Sequence, residues 1–149
     1  MAKHQKIVFQ LKRDEDGFPP SDYERLWATP LSNGNYVIDN IPFFVMGISS
    51  EDEVSVRQDG NELFFKELVE PSGISTFRLV PSDQSMIAKV REDVKALGGR
   101  SEYNQHVGLI AVEIPAEQSI DKFLNYIVDE QKQGRLDFQE GALRHDFEQ

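Results

Sequence analysis

The chain has 149 residues, of which 39% are apolar and none is cysteine, and its 26 acids against 16 bases give a formal charge of −10. That length sustains a buried core without a staple, and the lack of cysteine excludes a disulfide scaffold, a zinc ribbon, an iron–sulfur centre and thiol chemistry. The charge opposes unaided binding to nucleic acid or to an anionic membrane.

In chain order, the start Met-Ala-Lys-His-Gln-Lys is basic, but only Ile7, Val8 and Phe9 follow before polar residues resume. That is no secretory signal. Nor does any apolar run approach the roughly 20 residues of a membrane-spanning helix. A soluble, cytoplasmic protein is expected. Ile7, Phe9 and Leu11 alternate with Val8, Gln10 and Lys12, which predicts a half-buried strand. Asp14 to Gly17 with Pro19-Pro20 predicts a loop. Tyr23 to Leu31 reads as a strand, Asn33-Gly34 as a hairpin turn, and Tyr36 to Ile38 as the return strand. Ile41 to Ile48 is a dense apolar run with Pro42 near its start. Val54 to Val56 leads to a second turn signal at Asp59-Gly60. Leu63 to Val69 and Ile74 to Val80 are two further strands. Six short strands with turns between them predict a small barrel or a strongly curved sheet.

The period then changes. Ile87, Val90, Val94 and Leu97 form a helical stripe, with Ser82 or Asp83 as its cap and Gly98-Gly99 as its stop. Arg100 to Tyr103 and Val107 to Ile114 read as strands. Pro115 is placed at the start of a second helix with the stripe Ile120, Phe123, Leu124, Ile127, stopped by Gly134. Leu136 and Phe138 mark a last strand. The expected class is α+β: a β-rich, barrel-like part over residues 1–80, then a ferredoxin-like β-α-β-β-α-β part over residues 74–149, with strand 74–80 shared.

Few residue patterns carry chemistry. His4, His106 and His145 are scattered, and none has a second ligand at metal spacing. No phosphate-binding loop, dinucleotide fingerprint or nucleophile elbow is present. The acids Glu51-Asp52-Glu53, Glu92-Asp93 and Asp129-Glu130 are adjacent in sequence, so their spacing does not aim two carboxyls at one point. The strand Val107 to Glu113 has no aromatic and one negative charge, which excludes an RNA-recognition motif. No cofactor is expected. Aromatics gather in the first half, with Trp27 expected as a core anchor. The adjacent pairs Phe43-Phe44 and Phe64-Phe65 should each split between two strand faces.

The segments Tyr23-Glu24-Arg25-Leu26-Trp27-Ala28, Tyr36 to Phe44 with Gly47-Ile48, Asp52-Glu53-Val54, and Ser72-Gly73 with Ser75-Thr76-Phe77-Arg78 are distinctive together. They resemble a family of small bacterial proteins sharing domain of unknown function 4265, from about Ile7 to Phe138. The resemblance implies a stand-alone bacterial protein and no assigned activity. Ile74 stands where the family pattern Ser-Gly-His-Ser-Thr has histidine, which weakens any catalytic reading of that turn. Thr76 and Arg78 are expected to face away from the core, and Glu24 and Arg78 to pair across the barrel surface.

The expected function is a non-catalytic protein-binding module. Its sharper form is an acidic immunity protein that neutralises a toxin, a nuclease in the first instance, by covering its basic cleft. Partner-binding residues are expected at Glu51, Asp52 and Glu53, and at Asp129 and Glu130. Residues 1–80 and 81–149 each hold 13 acids and 8 bases, so charge does not choose between the two sets. The alternatives are a ligand-sensing regulatory protein and an enzyme using Glu24, Arg78 and His106.

Overall fold

The structure, a computed structural model, describes residues 4–145. The chain divides into two units, Met1–Ser72 and Gly73–Gln149. The first is built from β1 (Gln5–Gln10), β2 (Tyr23–Pro30), β3 (Tyr36–Ile38), β4 (Glu53–Asp59) and β5 (Glu62–Glu70), which close into a barrel. Each strand pairs antiparallel with the next. Five strands running alternately up and down leave β1 and β5 pointing the same way. The closing seam is therefore parallel, with Ile7 opposite Leu63 and Val8 opposite Phe64. Register shifts in β4 at Glu53/Val54 and Ser55/Val56 mark bulges, which increase strand bend and help so few strands close.

Ile7, Phe9, Leu26, Ala28, Ile38, Val54 and Leu63 fill the barrel. Phe65 stacks on Phe9 at 4.8 Å between centroids, while Phe64 lies outside under the Arg57 guanidinium at 4.9 Å. That pair splits between faces as expected. Phe43-Phe44 does not, because Ile41–Ile48 is no strand. It forms an irregular loop that buries Ile41, Val45 and Ile48. Pro42 has no N–H to give a ladder, and the next three N–H groups bond to a side chain instead.

Trp27 is corrected from core to surface. Leu26 and Ala28 point inward, so alternation sends Trp27 outward, where it is 46% exposed.

The second unit comprises β6 (Ser75–Pro81), a 3-10 turn (Gln84–Met86), α1 (Ile87–Ala96), β7 (Arg100–Asn104), β8 (Leu109–Ile114), α2 (Asp121–Lys132) and β9 (Leu136–Ala142). The sheet order is β7-β8-β6-β9, antiparallel throughout. β6 pairs with β8 and β9, so the strand expected to be shared belongs to this unit. Phe77, Leu79, Ile110, Val112 and Ile114 pack with Val90, Val94, Phe123 and Ile127 of the helices. Asp83 caps the 3-10 turn by accepting from the Ser85 N–H at 2.9 Å. Gly98 ends α1 with φ of +88°, and a Cβ there would stand 2.6 Å from Gln118 Oε1. The positive φ is what calls for glycine, since the Gln118 amide is the end of a flexible side chain. The second helix starts at Asp121, not Pro115. Residues 115–118 form a turn closed by the Gln118 N–H on the Pro115 carbonyl. Among the described residues, no helix is long and apolar enough to cross a membrane.

Candidate functional site

The acidic sets can be placed first. Asp52 is fully buried. Its carboxylate accepts from the Ser49 N–H and the Ser72 N–H, both at 2.8 Å, and its carbonyl accepts from the Ile38 N–H. It braces a turn and presents no charge to a partner, which removes it from the expected interface. Glu53 accepts from the side-chain amides of Asn33 and Asn35. Glu51 is exposed and holds φ at +67°. In the second unit Asp129 is exposed. Glu130 is mostly buried and bonded at two points to the Arg135 guanidinium. Those bonds hold its carboxyl below the usual range. Each expected set thus keeps one outward acid, Glu51 or Asp129.

The three side chains of the enzymatic alternative are each otherwise placed. Both Glu24 oxygens are engaged by consecutive backbone N–H groups: Phe43 at 2.7 Å, Phe44 at 2.9 Å and Val45 at 2.9 Å. The expected Glu24–Arg78 pair is therefore replaced by a clasp on the 41–48 loop. Thr76 and Arg78 do face away from the helix-covered core, since Phe77 and Leu79 enter it, yet Arg78 is only 2% exposed. His106 is exposed in the β7–β8 turn, its N–H bonded to Asn104 Oδ1.

A serine–histidine contact was not legible in the sequence, where His145 looks like part of a polar tail. Ser75 Oγ lies 2.6 Å from His145 Nδ1, and His145 Nε2 lies 2.8 Å from the Pro115 carbonyl. A carbonyl only accepts, so Nε2 carries a proton and donates to it, while Nδ1 and the serine hydroxyl share the second hydrogen bond. Ser75 Oγ also accepts from the Arg144 and His145 N–H groups. A nucleophile must reach substrate. Ser75 is fully buried and its oxygen is surrounded, so the trio latches residues 144–145 onto β6 and the turn at Pro115. Among the described residues no three metal-ligating side chains come together.

The outer face of the barrel is organised differently. Register places Lys6 opposite Trp27, Val8 opposite Arg25 and Gln10 opposite Tyr23. Trp27 is clamped through its backbone: its N–H donates to Asn40 Oδ1 at 2.7 Å, and its carbonyl accepts from the Asp39 N–H at 2.8 Å. Lys6 Nζ lies 4.9 Å from the indole centroid, a cation–π contact. The His4 ring lies 6.1 Å away and its Nε2 meets Asp39 at 2.6 Å. A groove of about 370 Å³ runs beside the indole, with Val8 and Leu63 in its lining and the Arg25–Glu62 pair at 3.2 Å. The result is a large exposed aromatic on a strand pinned at its backbone, with Lys6 and His4 against its ring. The sequence did carry a signal for it: Arg25 shares Trp27's side of β2, so the tryptophan had to be outside with the arginine.

The second unit has a broader, more open cleft of about 660 Å³, lined by Gln84, Ile87, Ala88, Tyr103, Gln105 and His106. Its polar groups are uncharged amides, a phenol and an imidazole.

Fold and site together define a strand-rich α+β protein, a five-stranded barrel and a four-stranded sheet with two helices, carrying an exposed tryptophan on the barrel's outer face. The chain belongs to the family defined by domain of unknown function DUF4265, whose model matches residues 24–138. It is similar in fold to a hypothetical protein from Neisseria gonorrhoeae of known crystal structure, with a TM-score of 0.78 and 20% identity over 97% of this chain and 99% of that one. No curated protein matches.

Proposed function

We propose that this protein is a non-catalytic protein-binding module with Trp27 at the centre of its contact surface. The observation that supports this is the 46% exposed indole, on a residue whose backbone is bonded at both N–H and carbonyl, on the outside of a closed barrel. Tryptophan is enriched among residues that dominate binding energy, and with only two side-chain torsions it loses little entropy on association. A formal charge of −10 favours a basic partner by long-range attraction. The sharper form is an immunity protein that covers the basic cleft of a toxin, with a nuclease as the natural target class. In that form Glu51 and Asp129 steer the approach and Trp27 supplies the grip. The strand order β7-β8-β6-β9 and the β-α-β-β-α-β succession support reading the second unit as ferredoxin-like.

The test is co-purification of the tagged chain from a bacterium that encodes it, at two salt concentrations. A stoichiometric basic partner, lost from Trp27→Ala and captured less well at high salt, is the expected result. A partner captured equally by Trp27→Ala overturns the role given to the indole. The open cleft at Tyr103 and His106 favours a second reading, ligand sensing. That reading expects a metabolite screen to raise the melting temperature of the wild type but not of Tyr103→Ala.

A further inference from the structure

The groove beside Trp27 differs in charge from the chain that carries it. Lys6 and Arg25 line it against a single lining acid, Glu62, while His4 at its edge is bonded to Asp39, in a chain of formal charge −10. Arg25 and Glu62 pair with both side chains half-exposed and offset one another. What remains is the Lys6 ammonium, which makes no ion pair with any described residue and lies over the indole. Beneath, Val8 is a buried apolar residue of the outer face, and Leu63 borders the groove where it turns into the barrel core. The site thus joins an aromatic wall, an apolar floor and one ammonium without an ion-pair partner among the described residues.

We infer that this groove receives a segment of the protein partner in which an apolar side chain neighbours a carboxylate. The apolar group packs on the indole above Val8, and the carboxylate meets Lys6. The inference rests on the protein-binding reading above and names what that surface selects. Size agrees with it: about 370 Å³ is near the bottom of the range for ligand pockets, room for one or two side chains and too little for a dinucleotide. Topology agrees too. The barrel is closed, with β1 paired on both sides, so a partner cannot add a strand here and recognition falls to side chains. A uniformly basic surface would meet Lys6 with like charge and leave the groove unfilled. Opposite signs at long and short range therefore give the partner an orientation.

Trp27 is the only tryptophan in the chain, so its emission reports directly on the groove. The wild-type chain is titrated with two capped peptides, Ala-Asp-Leu-Ala and Ala-Lys-Leu-Ala. The expected result is a saturable change in emission for the first, about tenfold tighter or better than for the second. Lys6→Glu should reverse that order. Equal responses to the two peptides, no saturable response to either, or an order unchanged in Lys6→Glu overturns the inference. The co-purification separates this failure from that of the parent reading. A partner lost from Trp27→Ala but retained undiminished by Lys6→Glu overturns the carboxylate and leaves the module standing. A partner indifferent to Trp27→Ala overturns the module's contact surface itself.

Discussion

The two units use their acids in different ways. In the barrel unit the inward carboxylates hold backbone: Glu24 accepts three consecutive N–H groups of the 41–48 loop, and Asp52 accepts those of Ser49 and Ser72. In the second unit they hold side chains: Asp93 accepts from Lys89 and Tyr126, Glu130 from Arg135, and Glu113 pairs with Arg100. The cause is topological. Five short strands leave residues 11–22 and 39–52 outside any ladder, and each buried N–H there needs an acceptor. Helices satisfy their own backbone, so acids on or beside them are available to neighbouring cations and a tyrosine. Equal formal charge in two halves of a sequence therefore says little about which half has charge to offer a partner.

The largest expected effect follows directly. Asp52→Ala removes a fully buried acceptor and leaves two backbone donors without it, which should cost about 3 kcal/mol of stability. Urea denaturation measures it. A loss under about 1 kcal/mol would mean that the turn re-satisfies itself and that the contrast between units is weaker than drawn. Glu24→Ala should cost less, about 2 kcal/mol, because the clasp is only part-buried. Glu24→Gln keeps one acceptor oxygen and should recover part of the loss. Amide exchange at residues 43–45 should accelerate in Glu24→Ala while the β6–β8 ladder of the second unit stays protected. Equal acceleration in both units would break the comparison.

The second unit should show its difference in acid. Burial pushes the Asp93 carboxyl up, but hydrogen bonds from Lys89 and Tyr126 outweigh it and leave the group below its ordinary 3.8. Hydrogen bonding to Arg135 depresses Glu130 below its ordinary 4.5. A carboxyl depressed on folding adds stability that is present above its unfolded value and lost as pH falls through the folded one. The loss should therefore begin near pH 4.5 and continue below 3.8. Burial first, then the bond to Asp93, raises the Tyr126 phenol, so it remains a donor across that window. Melting temperatures from pH 7 to pH 3 should fall less steeply in the double variant Tyr126→Phe, Arg135→Gln than in the wild type. Parallel curves would show that these contacts do not set the acid response.

Much of the fold was legible because its cues are local. Asn33-Gly34 and Asp59-Gly60 do connect paired strands, and the stripes at Val90–Val94 and Phe123–Ile127 do face the core. The site was less legible because its determinants are distant in sequence. The Glu24 clasp spans 19 to 21 residues and the Ser75–His145 contact spans 70. No periodicity encodes such pairings. Trp27 was misplaced for another reason: the strand was recognised, but its inward phase was not read from Leu26 and Ala28.

The smallest expected effect is also the sharpest test of an acid outside these braces. Glu51 is exposed, yet its φ of +67° is a conformation that costs a residue with a Cβ about 1 kcal/mol relative to glycine. Its neighbours need that geometry: the Glu51 N–H bonds the Ile38 carbonyl, and Asp52 beside it braces the turn. Glu51→Gly should therefore raise stability by about 1 kcal/mol, discounted for the entropy glycine adds to the unfolded chain. Glu51→Ala should show no gain, since it keeps the strain and loses only the carboxylate. Binding to the co-purified partner then decides why a charged residue stands there. If Glu51→Gly and Glu51→Ala both slow association, and slow it less at high salt, the carboxylate faces the partner and the strain is tolerated for that contact. If association is unchanged in both, steering belongs to other acids, and Glu51 is only the outward side of a turn that Asp52 organises.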